Sequence, residues 1–286
     1  MRKAISTFVF VKSRLHPGTM DKLVQFGAEA IEIFASRGHF DYTDRQQVRE
    51  IGAWCKDSGI PLNSVHAPMF PDYEWGRTGT APVNIIDPDK RRRVESMDEV
   101  KRALEVAETV PFDFLVQHLG VATDSYDPAQ FDNALSSLEH LHAFARPLGV
   151  KILLENLPNE ITSPENLVQT IAALHFDDLG VCFDTGHAHL AGGVEEGLRS
   201  LQDLIRSTHV HDNNKIRDEH LFPGEGSIDW KSAMALLREA KHVPPLLLEI
   251  EGDGRKDIAE KFGEAFRLLE NTCHRDTEAQ REQENN

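Results

Sequence analysis

Six of the fourteen histidines in this chain stand in or beside short apolar stretches, with carboxylates close by. The stretches are SVHAP (His66), VQHLG (His118), LLENLPNE (Glu155), VCFDTGHAH (Asp184, His187), THVHDNN (His209, His211), RDEHLFPGEG (Asp218, His220) and LLLEIEG (Glu249, Glu251). Imidazole nitrogen and carboxylate oxygen together suit a divalent cation such as zinc or manganese. Glu155 closes a run of lysine, isoleucine and two leucines. A carboxylate there either faces an open mouth or carries a large desolvation cost unpaired. Glu249 after three leucines and Asp184 after Val-Cys-Phe obey the same logic. His209 and His211, two apart, share one strand face. Any one of these carboxylates taken singly is as well explained by a helix cap or an ion pair. Three of them together with His209, and with further histidines at neighbouring strand ends, read as a site. His189 reads as support for that site or as polar filler. His16, His39, His140, His142, His175 and His242 have no such context and read as surface or packing residues, and Cys182 as a small core residue.

The elements that must position these groups alternate along the whole chain. Short β-like runs are expected at residues 4–10, 30–35, 62–67, 114–119, 151–156, 180–184, 207–211 and 246–251. Helical patterns are expected at 19–26, 44–58, 89–109, 128–145, 164–174, 194–204, 230–240 and 257–271. Ser163-Pro164 and Asp127-Pro128 place a cap before a first-turn proline, and Gly59 and Gly149 mark helix ends. Eight strand–helix alternations favour one closed parallel barrel, a single (β/α)8 domain over residues 1–272, above an open doubly wound sheet. The donor side chains would then converge on the carboxyl ends of the strands. Glu155, Asp184, His209 and Glu249, from the fifth to eighth strands, would form a compact cation site with room for substrate oxygens. Residues 69–88, rich in proline, glycine and aromatics, form the one long loop, readable as a lid or as an excursion packed on the rim. The polar tail at 273–286 reads as disordered.

Composition narrows the function. The chain has 286 residues, 31 Lys plus Arg against 47 Asp plus Glu, and a formal charge of -16. Such a surface argues against a nucleic-acid partner, although a small phosphorylated ligand needs only a few local cations. Three scattered cysteines do not make a disulfide framework, so a cytoplasmic location is expected. The N-terminal MRKAISTFVFVK reads as the first strand, because Lys12 interrupts its apolar run and no small-residue cleavage site follows closely. No apolar stretch approaches the ~20 residues of a membrane helix.

The combination LLEN, GVCFDTGHAHLAGG, HVHDNN with DEHLFPGEGSIDW, and LLLEIEG resembles the xylose-isomerase-like TIM-barrel superfamily. That superfamily includes sugar phosphate isomerases and epimerases and the endonuclease IV class of DNA-repair enzymes. The resemblance implies a divalent metal (zinc, manganese, magnesium or cobalt) held by Glu155, Asp184, His209 and Glu249. It implies that the two glutamates flank the substrate and move its proton, and that His187 and Arg217 contact substrate oxygens. In endonuclease IV three zinc ions use nine ligands. The matching positions here, His66, His118, Glu155, Asp184, His187, His209, Asp218, His220 and Glu249, all carry competent residues, so the number of metals stays open between one and three.

Sugar chemistry requires a cation that polarises a carbonyl, a carboxylate that takes a carbon-bound proton and an acid that returns it. Phosphodiester cleavage of abasic DNA requires two or three zincs and a surface that grips a bent duplex. The negative charge and the lack of a Lys/Arg-rich loop with apolar wedges argue against that grip. The run Lys90-Arg91-Arg92-Arg93 is the exception and reads mainly as a solvated helix face, with ligand phosphate contact as its alternative. A non-catalytic carbohydrate-binding barrel would not need two opposed glutamates. The expected partner is therefore a small carbohydrate, with isomerisation, epimerisation and phosphorylation state open, and a homo-oligomer is compatible with the chain.

Overall fold

The computed structural model describes residues 1–122, 124–252 and 254–272. The polar tail expected to be disordered lies outside the described residues.

Eight parallel strands form one sheet in the order β7-β6-β5-β4-β3-β2-β1-β8. They are β1 (Lys3–Ser6), β2 (Ala30–Phe34), β3 (Leu62–His66), β4 (Phe112–Gln117), β5 (Lys151–Glu155), β6 (Gly180–Asp184), β7 (Ile205–His209) and β8 (Leu246–Leu248). Between β7 and β8 the bridge Val210–Leu248 joins the two ends, carried by Val210 N–H to the Leu247 carbonyl at 2.8 Å. The sheet therefore curls into a near-closed barrel. Helices α1 (Pro17–Gln25), α2 (Arg45–Ser58), α3 (Lys90–Leu104), α4 (Pro128–Ala145), α5 (Pro164–Leu174), α6 (Thr185–Ala191), α7 (Val194–Leu201), α8 (Trp230–Glu239) and α9 (Ile258–Asn271) complete it.

The packing divides by strand alternation. Ile5, Ile31, Leu154, Val181 and Leu248 belong to one large core with helix residues such as Leu23, Ile51, Leu138 and Phe262. Ala4, Ala30 and Leu247 form a separate small cluster, and Val116, Leu153 and Cys182 another. These two clusters fill the barrel interior, because successive side chains alternate between faces. Two residues further along each of these strands stand Ser6, Glu32, Glu249, His118, Glu155 and Asp184. The barrel floor thus fixes which side chains reach the mouth.

Strands β4 and β7 lie two residues earlier than expected, leaving His118 and His211 just beyond them, and four further elements differ from the sequence reading. The first strand stops at Ser6, whose hydroxyl accepts from Phe8 N–H, and residues Thr7–Phe10 wind into a 3-10 turn. The last strand ends at Leu248, leaving Glu249 just beyond it. The helix over 89–109 breaks after Leu104 into a 3-10 turn at Glu105–Glu108. Finally α6, unforeseen, starts directly on Asp184, whose carboxylate caps it by accepting from His187 N–H. The Lys90–Arg93 run opens α3 as a solvated face, with Arg91 bonded to Glu95 and Arg93 to the Asp87 carbonyl. No described helix is long and apolar enough to cross a membrane.

Candidate metal centre

The centre is built around His209, the last residue of β7. Its Nδ1 lies 3.3 Å from Glu155 Oε1, 3.6 Å from Glu249 Oε2 and 3.8 Å from Asp184 Oδ2. All four residues are nearly or fully buried. The four residues expected to hold a metal from the fifth to eighth strands therefore meet at one nitrogen.

Two further donor groups flank this core. On one side, His66 at the end of β3 and His118 just after β4 turn Nε2 toward Glu155 Oε2, at 3.4 and 3.1 Å. On the other, Asp218 Oδ2 lies 3.2 Å from His187 Nε2 and 3.1 Å from His220 Nε2. His187, on the first turn of α6, also brings Nδ1 to 3.2 Å from Glu155 Oε1. Backbone carbonyls orient two of these rings. His66 Nδ1–H donates to the Ala67 carbonyl at 2.8 Å, and His220 Nδ1–H to the Glu249 carbonyl at 2.9 Å. In that tautomer each leaves an Nε2 lone pair facing the donors, as a metal-ligating histidine requires.

The electrostatics show what the donors need. Burial alone would raise Glu155, but the charges of His209 and His118 hold its carboxyl well below the usual range. Burial does raise Glu249. His209 loses basicity to burial, yet Cys182, Glu249, Glu32 and Glu155 around it raise it well above an ordinary histidine. His187 rises in the same way, burial being outweighed chiefly by Asp184. In His220, burial is outweighed by the bond to Asp218, which brings the ring to about 9. Burial lowers His118 despite its carboxylate neighbour. Protonated imidazoles thus supply positive charge that a cation would replace, releasing protons as it binds.

The residues fit a divalent cation. His209 Nδ1, His187 Nδ1 and Glu249 Oε1 are buried without a hydrogen bond, although each belongs to the converging set. Groups of three donors within 4.8 Å of one another include His66/His118/Glu155, Glu155/Asp184/His187 and Asp184/His211/Glu249. Oxygen-rich ligation with one or two imidazoles suits zinc, manganese or magnesium-type ions rather than thiolate-seeking ones.

Two participants carry more than the sequence reading gave them. Glu32, in the middle of β2, is fully buried and brings Oε2 to 3.2 Å from His209 Nε2. Its signal was the same as that of Glu155, a carboxylate inside an apolar strand, but it stands mid-strand rather than at the end. His211 is also fully buried and sets Nε2 3.0 Å from Asp184 Oδ2. Arg217, by contrast, is not brought to the centre. It lies on the outward loop after Lys215, its side chain 78% exposed and its Nε bonded to Glu219 at 3.4 Å.

A cavity of about 300 Å³ opens onto the centre, lined by Met69, Phe70, His118, Leu157, His187 and Asp218. That is the low end of the range for small-molecule sites. A larger cleft of about 510 Å³ between the β5–α5 loop and α6–α7 holds Asn156, Asn159 and Glu160 but none of the donors. Residues 69–88 bring Trp75 over the mouth, its ring 6.0 Å from Phe8 and 5.6 Å from Phe34. Phe34 in turn stacks on His66 at 4.6 Å. Trp75 holds a positive φ of 51°, an uncommon conformation for a bulky residue.

The chain belongs to the family described as xylose isomerase-like TIM barrel, which it matches over residues 20–272. An uncharacterised protein of Methanocaldococcus jannaschii, MJ1311, is 29% identical over 260 residues, 84% of this chain and 80% of that protein. A protein of Natronomonas pharaonis named "Probable endonuclease 4" is 28% identical over 194 residues, 61% of this chain and 69% of its own length. Among solved structures, a D-tagatose 3-epimerase-like protein superposes with a TM-score of 0.77 at 25% identity, covering 95% of this chain and 97% of its own.

Proposed function

We propose that the protein is a divalent-cation-dependent isomerase or epimerase of a small sugar or related hydroxy-carbonyl compound. The observation that carries this reading is the approach of two glutamates to one nitrogen. Glu155 from β5 and Glu249 from beyond β8 reach His209 Nδ1 at 3.3 and 3.6 Å, from strands far apart in the sheet order. The solved structure of a D-tagatose 3-epimerase-like protein, alike over nearly the whole chain, supports the same class.

Glu155, Asp184, His209 and Glu249 would hold the cation. When bound, such an ion polarises a carbonyl and its neighbouring hydroxyl and makes the C–H between them more acidic. One glutamate takes that proton from one face of the substrate, and the other returns a proton to the resulting enediolate. His187, at the border of the cavity and the core, donates to substrate oxygens. Phe8, Phe34 and Trp75 pack on one another beside His66 and His220, where they would screen a bound substrate from water. Cytoplasmic sugar metabolism is the setting this chemistry fits.

The test is exchange of a carbon-bound hydrogen with solvent deuterium across a panel of aldoses, ketoses and their phosphates. Glu155→Gln and Glu249→Gln should each lose exchange at one face of the substrate, and with it the conversion, while the fold persists. A second reading, zinc-dependent cleavage of abasic DNA, is favoured by the assembly of all nine donors at one mouth and by the endonuclease-named relative. Metal-dependent nicking of an abasic duplex, with no exchange on any sugar, would replace the first reading by the second.

A further inference from the structure

We propose that Glu32 is the positioning residue that makes Nδ1 the metal-ligating nitrogen of His209, an inference that rests on reading the carboxylate core as a cation site. An imidazole has two nitrogens. In the neutral ring only one keeps a lone pair for a cation, and the group bonded to the other decides which. The two nitrogens of His209 face opposite ways. Nδ1 points at Glu155, Glu249 and Asp184, while Nε2 points at Glu32 Oε2, 3.2 Å away. A carboxylate only accepts, so when a cation displaces one proton from this ring, the proton that stays belongs on Nε2 and the lone pair on Nδ1. Without Glu32 the three carboxylates would draw the proton onto Nδ1, where it would block a cation.

Glu32 is itself held in place. It is fully buried, and Ser64 Oγ donates to the same Oε2 at 2.7 Å. The neighbouring histidines sharpen the contrast. His66 and His220 are oriented by backbone carbonyls, which no side-chain substitution removes. His209, at the centre, depends on a replaceable side chain. A packing role would not require the carboxylate to stand on the far nitrogen of the ring that faces all three core carboxylates.

The experiment measures zinc affinity of the full chain by competition with a chromophoric chelator, for wild type, Glu32→Gln, Glu32→Ala and Ser64→Ala. Long-range proton–nitrogen spectra of the zinc-loaded protein report which His209 nitrogen carries the proton. Glu32→Ala should weaken zinc binding by about 10–100-fold, the usual cost of losing such a partner. Glu32→Gln, whose amide oxygen still accepts from Nε2–H, should recover most of that loss. Ser64→Ala should fall between wild type and Glu32→Ala. The wild-type spectrum should show the proton on Nε2. If Glu32→Ala fails to fold, the glutamine and Ser64 variants and the spectrum decide alone. Unchanged affinity in the variants, a proton on Nδ1, or a glutamine variant that loses zinc altogether overturns the inference while leaving the cation site standing. A wild-type chain that binds no zinc, manganese, magnesium or cobalt overturns the site and the inference together.

Discussion

Asp184 performs two tasks that substitution can separate. Its Oδ1 accepts from His187 N–H at 2.7 Å and caps α6, while its Oδ2 faces His211 Nε2 at 3.0 Å and His209 Nδ1 at 3.8 Å. Asparagine caps a helix as well as aspartate does, so Asp184→Asn should keep α6 and His187 in place. It removes the negative charge a cation requires. Alanine removes both. Loss of the cap costs about 1 kcal/mol. Leaving buried His211 Nε2 without its acceptor costs about 1–3 kcal/mol more. Asp184→Ala should therefore be destabilised by roughly 2–4 kcal/mol in urea titrations without metal, and Asp184→Asn, whose Nδ2 donor replaces the oxygen facing His211 Nε2, by about 1 kcal/mol less, the worth of the cap it keeps. Both should bind zinc at least about 100-fold more weakly, because losing even an outer partner of a ligand costs 10–100-fold. Elemental analysis after dialysis against a defined zinc buffer measures the second quantity. Full zinc retention by Asp184→Asn would refute the ligand set, and equal stability of the two variants would refute the cap.

Chelation of a cation present at about 100 times its Kd should remove about 2.7 kcal/mol of stability, a fall in Tm of several degrees in calorimetry. Unchanged melting would contradict a tightly held ion. His39 governs a separate acid response. Burial holds it down to about 4, with Nδ1–H donating to the Ser13 carbonyl and Nε2 buried without a partner. Because the unfolded chain takes up this proton near 6.5 and the folded chain only near 4, stability falls as pH drops through that window, by about 3 kcal/mol. Urea titrations at pH 7 and pH 4 should show wild type losing about that much more than His39→Asn; equal losses would contradict it.

The positions that reach the mouth were legible wherever an apolar strand ends on a donor. KILLE, GVCFD and LLLE each place the donor two residues past an inward Leu153, Cys182 or Leu247, and strand alternation does the rest. Glu32 escaped because in AIEIF it stands mid-strand: the desolvation argument applies to it as to Glu155, but nothing in the run places it at the strand end where the other donors lie. Helix α6 escaped because its seven residues, with Gly186 and two histidines, carry no amphipathic stripe. Its only signal was Asp184 three residues before His187, in the position of a cap. At the first strand, the apolar STFVF reads as strand throughout. The Ser6 hydroxyl ends it by capping a 3-10 turn that continues into buried Val9. The reach of Arg217 depends on the turn at Lys215, held at a positive φ of 62°, which no spacing argument contains.

The central claim is that Glu155, Asp184, His209 and Glu249 form the cation centre of a sugar-type proton-transfer enzyme. Native mass spectrometry combined with elemental analysis of the purified chain tests it most directly. One divalent ion per chain, lost in Asp184→Asn and retained in His66→Ala and His220→Ala, is the predicted result. Three zinc ions per chain, with one lost in each of the flanking histidine variants, would contradict the single-cation account and favour phosphodiester cleavage. No bound ion under any loading condition would contradict the centre itself.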